Sequence, residues 1–225
     1  MKYEIENNIA TLTFDDGKAN VVGPSFLNDI DAGLDRAQED KAGAVILRGR
    51  DGMFSGGFDL KEFEKGVEEG MAMVRGGFEL LVRLYSFPLP LVAASTGHGI
   101  AMGAFTIMAC DWRIGSRGKF KMSLPETRIG MELPPILVEL TTSRISRQHM
   151  TRVALLSEVY NPEQAVEAGF IDEVVNPAEL TARSAAVAEQ LAQLPQQQFA
   201  KNKLSIRAGA LQVMKDSLAT VSYTH

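Results

Sequence analysis

Hydrophobic residues are most concentrated between residues 90 and 126. An apolar, β-branched run at 91–96 is typical of a buried strand, and it is followed by a glycine-containing turn at 97–103. The next run, 104–110, is apolar without a breaker and favours a buried helix. A helix that starts after such a turn leaves free backbone N–H groups, where partial positive charge collects. The turn can therefore hold an anion, or an oxygen that becomes anionic during a reaction.

A second segment repeats this order of elements. Residues 43–48 (GAVILR) have the pattern of a buried strand, Gly56 and Gly57 follow, and a helical pattern begins at residue 59. Two strand–turn–helix units can direct two backbone N–H groups at one point. A pair of convergent donors is the usual construction of an oxyanion hole.

Two other interpretations of Gly97, Gly99 and Gly103 stay open at this point. Their spacing, G-x-G-x-x-x-G, is one residue longer than a dinucleotide-binding fingerprint. No Asp or Glu stands at the end of the next strand, about 20 residues on, where a ribose-binding acid would lie. The glycines could also serve only the close packing of a helix.

The rest of the chain alternates strand and helix patterns. The predicted elements are two strands around an Asn-Asn turn at 3–14, a helix from Pro24 to about Asp40, a helix at 66–85, a helix after Pro134 and Pro135, a short helix at 147–156, a helix at 162–168 capped by Asn161 and closed by Gly169, a strand at 170–175, and helices at 177–194 and 196–218. No linker rich in Gly, Ser or Pro marks a flexible boundary.

Composition limits the classes of function. With 225 residues, 45% of them hydrophobic, the chain suits one domain, or one domain with a helical appendage. The net charge of −5 argues against generic binding to nucleic acid or to an anionic membrane surface. No apolar run of about 18 residues or signal-peptide core is present, and the single cysteine, Cys110, excludes an intrachain disulfide. We expect the protein to be cytoplasmic. We also expect no metal site, because no His/Cys cluster appears.

Three ordered motifs resemble the crotonase superfamily, the enoyl-CoA hydratase and isomerase family. The first, F-x-x-G-x-D-[IL]-K-E, stands at 54–62. The second family pattern, a G-x-[AC]-x-G-G-G turn followed by a buried helix and C-D-x-R, has its counterpart at 97–115, where the turn reads GHGIAMG. The third ends in Pro125 and Glu126, and a further match extends over 163–175. The resemblance implies an α/β fold, a crotonase-like spiral of repeated ββα units.

The resemblance also implies an organisation and a substrate. The spiral core would span 1–175, and a helical region at 176–225 would assemble a homotrimer or a dimer of trimers. The substrate would be an acyl-CoA, so that coenzyme A enters as part of the substrate and no cofactor is tightly bound.

The motif positions imply roles for individual residues. The backbone N–H groups of Phe58 and Met102 would stabilise a thioester enolate, and Glu126 would be the acid/base. Met102 stands where the family usually has glycine. A backbone donor tolerates this difference if φ is negative at that position. Lys18, Ala19 and Asn20 are implied contacts for the nucleotide end of coenzyme A, although Lys18 equally suits a solvated loop cation. The other implied substrate contacts are Gly57, Asp59, Leu60, Lys61, Gly103 and Phe105, of which Asp59 is also expected to cap a helix.

The acid–base groups favour one reaction. Hydratases of the family carry a second glutamate on the buried helix, but the matching residue here is Phe105. Moving a double bond needs only one base, so the sequence favours isomerisation of enoyl-CoA. The alternatives are hydration of the fatty-acid β-oxidation type with a second carboxylate such as Glu132 or Glu139, carbon–carbon bond formation on an enolate, and a non-catalytic homologue that binds acyl-CoA or RNA.

Overall fold

The protein folds into two sheets with helices around and between them. The structure is a computed structural model, described here for residues 1–220. Within these residues the strands are β1 (Lys2–Glu6), β2 (Ile9–Thr13), β3 (Ala44–Arg48), β4 (Gly52–Ser55), β5 (Leu91–Ser95), β6 (Gly97–Ile100), β7 (Trp112–Ser116), β8 (Met122–Ser123) and β9 (Glu173–Val175).

The helices agree closely with the predicted periodicity. They are α1 (Pro24–Glu39), α2 (Leu60–Lys65), α3 (Val67–Ser86), α4 (Met102–Ala109), α5 (Pro135–Arg144), α6 (Pro162–Ala168), α7 (Leu180–Ala192), α8 (Gln196–Ile206) and α9 (Ala208–Thr220). Short 3-10 turns lie at Thr127–Ile129 and Pro177–Glu179, and a π-helical turn lies at Thr151–Leu155. The cap of α6 by Asn161 and its end at Gly169 are confirmed.

From β3 onwards, successive strands belong alternately to a large and a small sheet. The large sheet has the order β1-β2-β3-β5-β7-β9, and the small sheet has the order β4-β6-β8. Apart from the β1–β2 hairpin, neighbouring strands are parallel. Each of the pairs β3–β4, β5–β6 and β7–β8 gives one strand to each sheet before a helical segment follows. This arrangement confirms the repeated ββα units.

The first glycine-containing turn differs from its prediction. Gly97 and Gly99 lie inside strand β6 rather than in a turn. A methyl group on Gly97 would lie 2.0 Å from the carbonyl carbon of Gly52, so glycine is needed for β6 to pair with β4. The change of direction comes later, at Ala101.

Three other elements are shorter than predicted or interrupted. The strand at 170–175 begins only at Glu173, because the N–H groups of Phe170 and Ile171 bond back to the carbonyl of Ala165 in α6. The helix at 196–218 breaks at Arg207, whose guanidinium bonds to the carbonyl of Tyr85 and to the carboxylate of Asp111. The predicted helix at 147–156 is reduced to the π-helical turn.

The large sheet is covered on both faces. One face packs into the main core with α1, and the other packs against α7 through a smaller apolar cluster. The last helix, α9, packs on α3 and α5 of the same chain. The division at residue 175 and the assembly of a trimer stay predictions. No helix within residues 1–220 is long and apolar enough to cross a membrane.

The central element is α4. All eight of its residues are buried, and it packs against the small sheet, α3 and α5. Its N-terminus therefore lies where the strands of the small sheet end.

Candidate active site

The strands of the small sheet bring three predicted residues to one edge. Ser55 of β4 pairs with Gly99 of β6, and Gly99 pairs with Met122 of β8. Because the strands are parallel, the residues that follow each of them leave the sheet at the same edge. Phe58 and Met102 each come three residues after a paired position, and Glu126 comes four residues after Met122.

Phe58 and Met102 present backbone N–H groups for which residues 1–220 supply no hydrogen-bond partner. Val22 bonds to the residues on either side of Phe58, its N–H to the Gly57 carbonyl at 2.8 Å and its carbonyl to the Asp59 N–H at 3.1 Å. The Phe58 N–H faces away from this bridge and has no hydrogen-bond partner within residues 1–220. Met102 is the first residue of α4, where the N–H has no partner inside the helix.

The two turns that carry these donors touch each other. A methyl group on Gly57 would lie 3.0 Å from Cβ of Ala101 and 3.5 Å from the backbone nitrogen of Met102. Gly57 also has φ +100°, a conformation that side chains disfavour. Gly103 is needed for the same reason, since a methyl group there would lie 2.3 Å from the Ser55 carbonyl oxygen. The close packing brings the two turns that carry the predicted donors into contact, and the oxyanion hole itself stays a prediction.

Ala101 has a strained backbone. Its φ of 50° and ψ of −123° are rarely adopted by a residue with a side chain. Its N–H donates to the Ser123 carbonyl at 3.0 Å, and its own carbonyl accepts the N–H of Phe105. These bonds connect the turn to β8 and to α4. The strain lies one residue before the second predicted donor, and nothing in the hydrophobic pattern indicated it.

Glu126 is a buried carboxyl group with an unused oxygen. The residue is 6% exposed, and its Oε2 is the one buried side-chain oxygen or nitrogen in the described residues that lacks a hydrogen-bond partner. Burial raises the pKa of Glu126 from 4.5 to about 7, and a hydrogen bond with its own backbone opposes part of the rise. A carboxyl with this pKa can both take and return a proton near neutral pH.

Helix α4 carries no acidic residue that could act together with Glu126. Phe105, one helical turn after Met102, is fully buried. Glu132 is exposed and Glu139 is partly exposed on α5. Within residues 1–220, Glu126 is the only buried Asp or Glu.

Asn20 belongs to the scaffold. Its amide nitrogen donates to the carbonyls of Phe14, Met53 and Phe54 at 3.0, 3.2 and 3.2 Å, and its oxygen accepts the Asp16 N–H. The side chain thus has a structural role, and a contact of Asn20 with coenzyme A stays a prediction.

The neighbouring loop residues support the same strand. The Ala19 carbonyl accepts the Gly56 N–H at 2.8 Å, and the Lys18 carbonyl accepts the Arg50 side chain. The Lys18 side chain is exposed. Any contact of Lys18 with a substrate would therefore be made at the surface.

The start of α2 borders a cavity of about 460 Å³ with an acidic lining. Its carboxylates are Asp15, Asp16, Asp29, Asp59 and Glu62. Asp59 caps α2, as expected, by accepting the Lys61 N–H at 3.0 Å. Leu60 and Lys61 are exposed beside it. Two of the five carboxylates are paired with cations of the same lining, Glu62 with Lys65 at 2.7 Å and Asp29 with the N-terminal ammonium at 3.1 Å.

The remaining candidate groups do not join the site. The His98 Nδ1 accepts the Lys121 N–H at 3.0 Å, and its ring packs edge-on against Phe120. No group of three His, Cys, Asp or Glu side chains within residues 1–220 could hold a metal ion.

The enoyl-CoA hydratase/isomerase family model matches residues 4–221. The chain belongs to this family. It is thus an enzyme of the crotonase superfamily, and the match extends over both sheets and the C-terminal helices.

Known relatives cover both reactions of the family. The rat mitochondrial enoyl-CoA delta isomerase 1 is 29% identical over 176 residues, which are 76% of this chain and 61% of the relative. A probable enoyl-CoA hydratase of Bacillus subtilis is 30% identical over 205 residues, covering 87% of this chain and 77% of the relative. A solved structure described as an enoyl-CoA isomerase of Mycobacterium tuberculosis is 36% identical, has a TM-score of 0.95, and is matched over 100% of this chain and 98% of its own. Another from the same organism, described as a probable enoyl-CoA hydratase, is 37% identical, has a TM-score of 0.94, and is matched over 98% of this chain and 94% of its own. These similar proteins thus carry the names of both reactions.

Proposed function

We propose that this enzyme isomerises enoyl-CoA, moving a double bond from the 3-position to the 2-position of the acyl chain. The observation that carries the proposal is the single buried carboxyl group, Glu126, whose Oε2 has no partner within residues 1–220. Phe105 stands where a second glutamate would be needed to activate water.

The thioester carbonyl would be bound by the two free N–H groups. Removing a proton from C2 of the acyl chain places negative charge on the carbonyl oxygen. The N–H groups of Phe58 and Met102 would stabilise that charge, each by about 3 kcal/mol. The dipole of α4 adds to the effect because Met102 lies at its N-terminus.

Glu126 would carry the proton from one carbon to the other. Its carboxylate takes a proton from C2, and the electron pair of the C–H bond delocalises over the C3–C4 double bond and the thioester. The neutral carboxylic acid then returns the proton to C4, which leaves a C2–C3 double bond and regenerates the carboxylate. No water is consumed. A pKa of about 7 suits both half-steps.

Hydration of 2-enoyl-CoA is the second candidate. A relative named as a probable hydratase favours it. It would need a further carboxylate beside Glu126, and the nearest acids in sequence are Glu132 and Glu139, which are not buried. The isomerase proposal makes no such demand.

The proposal includes the binding and setting of the enzyme. Coenzyme A would enter as part of the substrate, near the exposed Lys18, Leu60 and Lys61. Gly57, Gly103 and Phe105 would line the reacting end. We also propose a homotrimer or a dimer of trimers in the cytoplasm.

The test is a comparison of two substrates. Purified protein should convert a 3-enoyl-CoA to the trans-2-enoyl-CoA, and it should not hydrate trans-2-enoyl-CoA at a comparable rate. Phe105→Glu should lose isomerase activity and gain measurable hydration, because it supplies the second carboxylate. Rapid hydration by the unmodified protein would overturn the proposal in favour of the second candidate.

A further inference from the structure

Helix α3 packs against the side chains of Phe58 and Met102, the two residues whose N–H groups would form the oxyanion hole. A methyl group on Gly77 would lie 2.6 Å from both Cε1 and Cζ of the Phe58 ring, and 3.3 Å from Cε of Met102. The side chains of both donor residues therefore rest on the same glycine.

The Phe58 ring is half-buried and is supported at this contact by the exposed ring of Phe63. The ring of Phe63 packs edge-on against it, with the ring centres 6.4 Å apart. Phe63 in turn contacts Gly70 of α3, where a methyl group would lie 2.7 Å from the Phe63 ring. Met102 is buried on its own side. A methyl group at Gly77 would therefore press on the bulky Phe58 ring and on the buried Met102 side chain together, and we infer that part of the displacement would reach the turns that carry the donors.

Gly77 is costly for the helix that contains it. Glycine in a helix interior is less favourable than alanine, because it loses more backbone freedom on folding. Gly77 lies near the middle of α3 and is buried, and the space above it is filled by Phe58 and Met102. The space left by the absent side chain is thus occupied by residues of the site, and the glycine brings no benefit to the helix.

We propose that Gly77 is a positioning residue of the oxyanion hole. Its missing side chain sets how deeply Phe58 and Met102 pack against α3, and so where their N–H groups point. The Gly57–Ala101 contact fixes the same two turns from the other side. The inference rests on the proposed function, because it assumes that these N–H groups hold a thioester enolate.

The inference makes Gly77→Ala a selective change. The added methyl group would push the Phe58 ring outwards and shift the N–H groups by a fraction of an ångström. Since misplacement of catalytic groups by 1 Å can cost about 100-fold, we expect kcat to fall roughly 10-fold with little change in KM. The loss should be the same for short and long acyl chains, whereas a residue that lined the acyl pocket would show a chain-length dependence.

Gly76→Ala is the matched control. It makes the same change at the neighbouring position of α3, but the new methyl group would meet only Cδ1 of Leu27, at 2.9 Å. That atom is the end of a flexible side chain, which can move. We expect Gly76→Ala to keep the kcat of the unmodified protein.

A spectroscopic measurement separates this inference from the proposed function. Acetoacetyl-CoA forms a stable enolate that absorbs in the near ultraviolet, and an intact oxyanion hole should raise its enolate fraction on binding. If the unmodified protein binds this probe without such a rise, the proposed oxyanion hole itself is wrong. If it shows the rise and Gly77→Ala shows the same rise, only the role of Gly77 is overturned.

A rescue experiment excludes a general folding defect. The ring atoms that would collide with the new methyl group, Cε1 and Cζ of Phe58, are absent from leucine. Phe58→Leu should therefore restore a large part of the kcat and of the enolate signal in the Gly77→Ala background. Failure of the double variant to recover, with an unfolding transition like that of Gly76→Ala, would contradict the positioning role.

Discussion

The two ends of α4 treat their backbone groups in opposite ways. At the N-terminus, the Met102 N–H has no partner in the helix, and the strained Ala101 precedes it. At the C-terminus, the carbonyls of Met108 and Cys110 accept Nε and Nη2 of Arg144 at 2.8 and 2.9 Å. One end has a donor available for a ligand, and at the other end two carbonyls are bonded to a single arginine.

A network of charges surrounds the bonded end. Asp111 accepts the Leu91 N–H and the Lys203 ammonium, at 2.9 and 2.7 Å, and pairs with Arg207 at 2.8 Å. Burial lowers the pKa of Lys203 to about 8, although Asp111 opposes the change. Burial, aided by repulsion from other arginines, lowers the pKa of Arg144 to about 10. Cations are favourable at a helix C-terminus.

The N-terminal and C-terminal ends of α4 therefore have different tasks. Buried polar groups that are fully paired hold the fold together, and they have no capacity left for a substrate. Unpaired groups cost stability and become useful only when a substrate supplies the missing partner. Changes at the N-terminal side should therefore affect activity, and changes at the C-terminal side should affect stability.

The largest effect is expected for Glu126→Gln, on the N-terminal side. The amide cannot accept the C2 proton, so kcat for 3-enoyl-CoA should fall about 1000-fold, within the range for a general acid–base group. Steady-state kinetics on the purified variant measure it. Glu132→Gln, an exposed acid of the same segment, should keep nearly full activity. Equal losses in the two variants would remove Glu126 from its proposed role.

The second largest effect is expected for Arg144→Met, at the C-terminal end of α4. It removes two charged hydrogen bonds and leaves two carbonyls without a partner, so the free energy of unfolding should fall by about 3 kcal/mol. Denaturant titration measures the fall. Arg152→Met is the control, because Arg152 pairs with Glu158 at the surface and should change stability little. A large loss of kcat in folded Arg144→Met would contradict the division of tasks between the two ends.

The stability of the unpaired end should depend on pH. The pKa of Glu126 is about 7 in the fold against 4.5 for a solvated glutamate, so folding favours the neutral form. Stability from this group is present below pH 4.5 and is lost as pH rises through 7. Glu126→Gln cannot ionise, so its advantage over the unmodified protein should grow by roughly 2–3 kcal/mol between pH 5 and pH 8. Thermal unfolding at both pH values tests this, and a constant difference would show that Glu126 is not desolvated.

Much of the fold followed from local pattern. The Asn-Asn hairpin, the amphipathic α1 and α3, and the capped α6 were predictable because each depends on residues close in sequence. Phe58, Met102 and Glu126, which the family resemblance rather than periodicity singled out, follow three neighbouring strands of the small sheet, and their roles stay predictions.

The details that depend on distant contacts were not predictable. The amide of Asn20 bonds to carbonyls more than 30 positions away, so its structural role is invisible in the loop sequence. The break at Arg207 depends on Tyr85 and Asp111. The pair Gly76–Gly77 inside a helical pattern was a signal of close packing, but only the structure shows what lies against each glycine.

The smallest effect should come from one substitution made at each end of α4. Ala101→Gly relieves a backbone strain of about 1–3 kcal/mol and loses part of it to the greater freedom of unfolded glycine, so stability should rise by about 1 kcal/mol. The methyl group that contacts Gly57 is also lost, which should loosen the donors and lower kcat several-fold. Ala109→Gly makes the same change in ordinary helix at the other end and should lower stability by about 1 kcal/mol without affecting kcat. Opposite signs in the two unfolding curves would locate the strain at the end of α4 that faces the substrate, whereas equal signs would mean that Ala101 adopts its conformation without cost.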